Sequence, residues 1–389
     1  MSGSRPYDIV IYGATGFTGG LVAEYFARHV PLERTRWALA GRNREKLESV
    51  RRRLVAISPR CAEVPIVLAS ADAEGELRAL AESTRVVLTT VGPFALHGEA
   101  LFAECVRAAT DYVDSTGEPS FVKRMRERHA EAARRSGAIL VSCCGVDSIP
   151  TDLGAYFSMR ELVPSGPVEL EGHFSFRARP SGGTWRSVLE AMREAPQVLE
   201  EQRKPIEAKN GRRVARARVR LRREDSGWLV PFPTIDPEIA LRSAAQLPIY
   251  GPDFTYGHYL RLEHTTTVLG LGIGGSLVFG LSQLEVTRRL LASFIDAGDG
   301  PSQEERDKSW FRLRFIARHA GDELHTEISG GDPGYGETAK MMSESALCLA
   351  EDRDKLPARA GVLTPAVAFG DVLIHRLVRA GMSFRVLSQ

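Results

Sequence analysis

The chain has 389 residues, enough for two ordinary domains, and its 43% apolar and 26% charged content excludes disordered and fibrous classes. A formal net charge of +2 gives no global attraction to nucleic acid. The five cysteines (Cys61, Cys105, Cys143, Cys144, Cys348) include no C-x-x-C spacing, so no metal site or redox dithiol is expected and a reducing compartment fits.

The chain starts Met1 to Asp8 without an apolar region and cleavage site, so no signal peptide is read and a cytoplasmic location is expected. Asp8 to Tyr12 is a short β-branched run of the kind that forms a buried parallel strand. Gly13-Ala14-Thr15-Gly16-Phe17-Thr18-Gly19 follows at once, then a helical pattern through Leu21, Val22, Tyr25 and Phe26. In this strand-to-helix setting Gly13 permits a tight turn, Gly16 lets backbone approach a pyrophosphate, and Gly19 allows close helix packing. The helix N-terminus then offers amides to the phosphates. A second strand, Trp37 to Ala40, ends in Gly41-Arg42-Asn43-Arg44. No acid stands there to hold a ribose 2′-hydroxyl. Arg42 occupies the place where a 2′-phosphate needs a cation, with Asn43 beside it, so NADP(H) is favoured over NAD(H). The alternative is that Arg42 merely starts the next helix.

Strand and helix then alternate. Strands are expected at 65–69, 86–91, 112–114 and 138–142, and helices near 76–80, 101–110 and 122–136, giving a doubly wound parallel sheet. Ligands bind beyond the carboxyl ends of such strands, which places Val91-Gly92-Pro93, Thr116-Gly117-Glu118 and the 143–149 loop at the nicotinamide and substrate. Ser148, Thr116 and Tyr112 are the candidate hydroxyl donors there, and Asp147 and Glu118 the candidate acids. Asp147-Ser148 also fits a plain helix cap. Tyr112 and Tyr335 are followed four residues on by Thr116 and Ala339, so the Tyr-x-x-x-Lys pair of short-chain dehydrogenases is missing at both.

The composition shifts near 151–165, where a second domain begins. Val168 to Arg179 alternates apolar and polar residues as an antiparallel strand with one wet face does. Ser181-Gly182-Gly183-Thr184 starts a helix, either as an anion-accepting turn or as a plain cap. Arg216, Arg218, Arg220 and Arg222 alternate with apolar residues, so period two puts four guanidiniums on one strand face. That face either attracts an acidic partner or, the favoured reading, is a solvated edge. Thr265 to Leu284 has no charged residue but is rich in glycine; a buried segment or a hydrophobic wall for a lipid-like substrate is expected rather than a membrane span. A turn-rich loop at 330–336 precedes a helix from Glu337, and a last helix runs from Val367 to Arg379.

The glycine loop, Ala40-Gly41-Arg42, Val91-Gly92-Pro93-Phe94, Asp114-Ser115-Thr116-Gly117-Glu118 and Cys144-Gly145-Val146-Asp147-Ser148-Ile149-Pro150 together resemble the saccharopine dehydrogenase-like oxidoreductases. Gly182-Gly183-Thr184, Pro231-Phe232-Pro233-Thr234, Arg242-Ser243-Ala244, Tyr250 to Phe254 and Gly331 to Ala339 resemble the trans-acting enoyl reductase branch. The resemblance implies a Rossmann domain at 1–155, an inserted α+β substrate domain at 156–335, and C-terminal helices at 336–389 that pack back on the first domain. It implies NADPH-dependent saturation of a double bond in an acyl chain carried by a separate synthase, with an acyl carrier protein as the acidic partner. The other readings are a saccharopine-type amino-acid adduct dehydrogenase, with Arg177, Arg179 and Arg186 as carboxylate ligands, and a non-catalytic NADP-binding, lipid-associated protein. A homodimer and peripheral membrane contact stay open.

Overall fold

The computed structural model describes residues 5–146, 148–179, 185, 188–189, 192–193, 195–196, 205–208, 211–224, 227–293, 301–357 and 359–388. The chain divides into two units, Met1–Val146 with Tyr335–Ala380, and Asp147–Gly334 with Gly381–Gln389.

The first unit alternates β1 (Tyr7–Tyr12), α1 (Phe17–His29), β2 (Trp37–Gly41), α2 (Arg44–Ile57), β3 (Ile66–Leu68), α3 (Glu74–Ser83), β4 (Thr84–Thr89), α4 (Phe94–Ala108), β5 (Asp111–Asp114), α5 (Pro119–Ser136) and β6 (Ile139–Val141). The inner strands are apolar without alternation because helices cover both faces; Ile9, Val10 and Ile11 have no exposed surface. After the second unit the chain returns with α11 (Gly336–Glu351), β14 (Gly361–Leu363), α12 (Pro365–Phe369) and α13 (Asp371–Arg379), numbered in chain order. The seven strands are all parallel, in the order β14-β6-β5-β4-β1-β2-β3. This is the Rossmann order, with one added strand beside β6 and its reversal point between β1 and β4.

A buried ion cluster fixes the returning segment. Arg376 on α13 donates to Glu344 (2.6 Å) and Asp352 (2.5 Å) and pairs with Glu351 at 3.2 Å. Glu344 in turn accepts the Tyr25 hydroxyl of α1 at 2.6 Å. Three carboxylates around one guanidinium satisfy a cation that burial alone would make costly.

The second unit contains α6 (Ile149–Leu162), β7 (Val168–Arg177), β8 (Arg213–Arg216), β9 (Arg222–Glu224), β10 (Gly227–Pro231), α7 (Asp236–Gln246), β11 (Asp253–Leu262), α8 (Thr265–Ser282), α9 (Glu285–Ala292), α10 (Gln303–Asp307), β12 (Trp310–His319), β13 (Asp322–Gly330) and, from the end of the chain, β15 (Ser383–Ser388). Its mixed sheet runs β15-β13-β12-β7-β11-β10-β9, with β8 paired to β11. Helices α6 and α7 pack on this sheet. β7 is parallel to β11 and antiparallel to β12.

Four expectations change. Helix α6 lies in the second unit, so the units meet in sequence at 146/147 rather than 155/156, and the return starts at Tyr335. The segment 336–389 is not purely helical. β14 extends the parallel sheet beside β6, and β15 pairs with β13 in the second unit, because each sheet had an open edge to satisfy.

The four-arginine face does not form, because 217–221 leave the ladder between β8 and β9 and period two is lost. Arg216 ion-pairs with Glu238, and Arg222 donates to both oxygens of Glu171 (3.0 and 2.6 Å). Only Arg218 and Arg220 are exposed.

The 265–284 run is neither buried nor a wall within this fold: α8 is an exposed helix. Asp147, Ser181-Gly182-Gly183-Thr184 and Arg186 lie outside the described residues.

Candidate functional site

β1 ends at the carboxyl edge of the parallel sheet, beside β4, where strand order reverses. Gly13 has φ +92°, and a Cβ there would lie 2.7 Å from Thr90 Oγ1. At Gly19 a Cβ would come within 2.1 Å of the Gly13 carbonyl oxygen, so the loop and the first turn of α1 touch through backbone. Gly16 differs. The nearest protein atom to a Cβ at that position is Gly13 O at 3.4 Å, which leaves space beside exposed backbone.

Gly16 is the N-cap of α1, no side chain caps it, and the first turn holds no acid. An uncapped helix start with positive dipole and open space is what a diphosphate requires. Thr15 is exposed, Ala14 is buried in the core, and Thr18 is half-buried at the start of the helix. Phe17 packs edge-on against Tyr335, ring centroids 4.8 Å apart.

At the end of β2, Arg42 is exposed and forms no ion pair among the described residues. Asn43 caps α2, its Oδ1 accepting the Lys46 N–H at 2.9 Å. Its side-chain oxygen therefore serves the helix, while its side-chain amide group and the Arg42 guanidinium stay on the exposed strand end. Burial pushes the nearby Tyr12 phenol up to about 12, with Asp72 adding to the shift and Arg42 opposing it, so it stays protonated.

The other strand ends form a clasp. The Val91 N–H donates to Thr89 Oγ1 (3.2 Å), and Gly92–Pro93, a cis peptide, leads into α4. Glu118 caps that helix from another loop, accepting the N–H groups of Phe94 (2.9 Å) and Ala95 (2.7 Å). Thr116 Oγ1 accepts the Glu118 N–H at 3.1 Å, with Gly117 between them.

Beneath sits Asp114, fully buried, accepting from Thr116 N (2.9 Å), Ser142 Oγ (2.8 Å) and Cys143 N (3.1 Å). Desolvation raises its carboxyl to about 6 although these donors oppose the shift. The Cys144 N–H reaches Asp114 O at 2.7 Å, and Val146 N donates to Thr338 Oγ1 at 3.3 Å.

These positions reassign several candidates. Both Glu118 oxygens hold a helix end, so its role here is to cap. Thr116 is buried and holds the loop. Tyr112 is a core residue, edge-on to Phe102 at 4.9 Å, because its strand position faces the helices rather than the loops. Ser148, in the second unit, heads α6 but does not cap it; its hydroxyl is fully buried and has no hydrogen-bond partner among the described residues.

Sequence reading missed Asp114, Tyr335 and Thr338. The Asp-x-Thr spacing was a local turn signal for Asp114. Tyr335 and Thr338 touch loops far away in sequence, at Phe17 and Val146, and carried no such local signal.

Residues 9–141 match the family model described as the saccharopine dehydrogenase NADP-binding domain. A Mycobacterium tuberculosis protein provisionally named a trans-acting enoyl reductase is 36% identical, the match covering 98% of this chain and 97% of that protein. A trans-acting enoyl reductase of Mycobacterium bovis is 33% identical over 97% of each. The chain belongs to the saccharopine dehydrogenase-like oxidoreductases. Among solved structures, apo saccharopine dehydrogenase (L-Glu forming) from Saccharomyces cerevisiae shares this fold, with TM-score 0.60 and 12% identity, covering 98% of this chain and all of that one.

This saccharopine dehydrogenase-like oxidoreductase is an NADP(H)-dependent enzyme of the trans-acting enoyl reductase branch. The matched span runs from β1 to β6 and so contains the glycine turn, Arg42 and the clasp. Among the described residues no group of three or more histidine, cysteine or acidic side chains is arranged to hold a metal.

Proposed function

We propose that this oxidoreductase reduces the carbon–carbon double bond of an α,β-unsaturated acyl thioester presented by a separate carrier protein. The substrate half of that reading rests on one observation, the end-to-end match to relatives named trans-acting enoyl reductases. The cofactor half is supported by the space beside Gly16 at an uncapped helix start and by the unpaired Arg42.

NADPH, when bound, supplies the hydride. The residues of the chain do the rest. Amides of the first turn of α1 hold the diphosphate, since those of Gly13, Ala14 and Gly16 are taken by the Ala40 and Gly13 carbonyls, and Arg42 meets the 2′-phosphate. The Asp114–Glu118 clasp keeps the loops at the strand ends in one geometry, which is the positioning that hydride transfer needs from a protein.

For the saccharopine-type alternative, Arg177 is exposed, Arg179 pairs with Glu305 at 2.7 Å, and Arg186 lies outside the described residues.

Purified protein, NADPH and a carrier-bound enoyl thioester test the reading. Steady NADPH oxidation with formation of the saturated acyl chain is the expected result. Turnover only with an amino acid and a keto acid would replace it with adduct chemistry. NADPH binding without turnover on either substrate would make the chain a non-catalytic binder.

A further inference from the structure

The second unit carries a helix that its own packing does not explain. α8 contains no charged residue, and only 6% of it is buried. Leu269, Ile273 and Leu277 are 60%, 73% and 63% exposed, and Leu271 and Phe279 are exposed as well. At 3.6 residues per turn Leu269, Ile273 and Leu277 follow one another along one face, while Leu271 and Phe279 lie on other sides, so the helix is apolar around its circumference rather than along a single stripe.

Its five glycines have no packing reason in this chain. A Cβ on Gly270, Gly272, Gly274, Gly275 or Gly280 would meet nothing within 4 Å. The next helix, α9, buries Leu291 but presents Val286 and Leu290 outward. A tryptophan marks each end of the segment. Trp228 Nε1 donates to Thr265 Oγ1 (3.0 Å), and Trp185 Nε1 donates to the Leu291 carbonyl (2.7 Å).

A helix with one apolar stripe suits a protein partner. One that is apolar all round needs an apolar surrounding, because a docked protein would leave its far side in water. Frequent glycine and terminal tryptophan are features of helices in lipid, where the backbone must satisfy its own hydrogen bonds. Eighteen residues extend about 27 Å, close to the thickness of a hydrocarbon core. The topology nevertheless rules out a through-span. The chain enters from β11 and leaves toward β12 in the same sheet, and the eight residues of α9 cannot cross back.

We propose that α8 and α9 insert into the acyl-chain region of one leaflet of a lipid bilayer and anchor the second unit to a membrane surface. Charges at the ends are mixed, with Arg261, Glu263 and His264 before α8 and Glu285, Arg288 and Arg289 after it. Apolar insertion rather than attraction to anionic headgroups therefore drives the contact, and neutral lipid suffices. Nothing in this depends on the reaction proposed above.

Flotation of the full chain with phosphatidylcholine vesicles tests the anchor. The wild-type protein rises with the vesicles, with little effect of added salt, and its tryptophan emission shifts to the blue. The variant carrying Leu269→Asp, Ile273→Asp and Leu277→Asp loses at least about tenfold in bound fraction. Its urea unfolding stays cooperative with the wild-type midpoint, which certifies the fold of the second unit; the same three positions changed to serine give a milder version of the same loss. Wild-type protein that stays with the unbound fraction, or an aspartate variant that floats equally, overturns the proposal. So does a lipid-free dimer that the aspartates dissociate while the wild type ignores vesicles, since that places a second copy on the helix.

Discussion

The Glu118 carboxylate accepts the backbone N–H of Phe94 at 2.9 Å and, through its other oxygen, that of Ala95 at 2.7 Å, so the loop after β5 caps the helix after β4. α4 has no N-cap side chain of its own, because Pro93 holds that place. A carboxylate at a helix N-terminus satisfies orphan amides and meets the positive end of the dipole. Glu118→Ala should lower stability by about 1–2 kcal/mol, read as a lower urea midpoint with unchanged slope. An unchanged midpoint would show that the clasp is not held by this contact.

The glycine turn separates folding from binding. Gly19→Ala places a methyl group against the Gly13 carbonyl and should destabilise the fold strongly. Gly16→Ala meets no protein atom closer than 3.4 Å and should leave thermal unfolding near wild type while weakening NADPH binding at least about tenfold. Calorimetric titration of both variants checks this. Equal NADPH affinity in Gly16→Ala would remove the diphosphate from that turn.

Arg42 should set coenzyme preference. Arg42→Ala removes a charge-assisted contact of about 1.5–3 kcal/mol to the 2′-phosphate, so NADPH affinity falls roughly 10- to 150-fold and NADH affinity barely moves. A parallel loss for both coenzymes would assign Arg42 a structural part instead.

His258 predicts an acid-sensitive second unit. It is fully enclosed, with Nδ1 2.8 Å from the Tyr256 hydroxyl, and burial, then the neighbouring His173, lower its value to about 3. With the folded value below the unfolded 6.5, the unfolded chain takes up the proton first. Stability from this group is complete above about pH 6.5 and is lost as pH falls toward 3, about 2 kcal/mol by pH 5. Urea unfolding at pH 7 and pH 5 should show a gap that shrinks in His258→Gln. An equal gap in both proteins would locate the acid sensitivity elsewhere.

Much of the first unit was legible because its signals are local. The run Ile9 to Ile11 marks a strand covered on both faces, and the spacing of Gly13, Gly16 and Gly19 encodes a turn whose steric demands lie within a few residues. Arg42 was legible for the same reason, since the strand end fixes its position. Asn43, Glu118 and Tyr112 were located in the right neighbourhood, but their tasks depend on which backbone amides or rings face them. Composition does not carry that information.

By itself, then, the sequence determined an alternating α/β unit, its nucleotide turn and its cationic strand end, all consequences of periodicity and backbone sterics over short spans. Only the tertiary structure decided that β14 and β15 close the edges of two different sheets, that Arg376 gathers Glu344, Glu351 and Asp352, that Arg216 and Arg222 pair inwardly, and that the uncharged 265–282 helix stands exposed. These depend on partners brought together across long stretches of chain. Hydrophobicity states that a segment avoids water, while the surrounding fold decides what replaces the water.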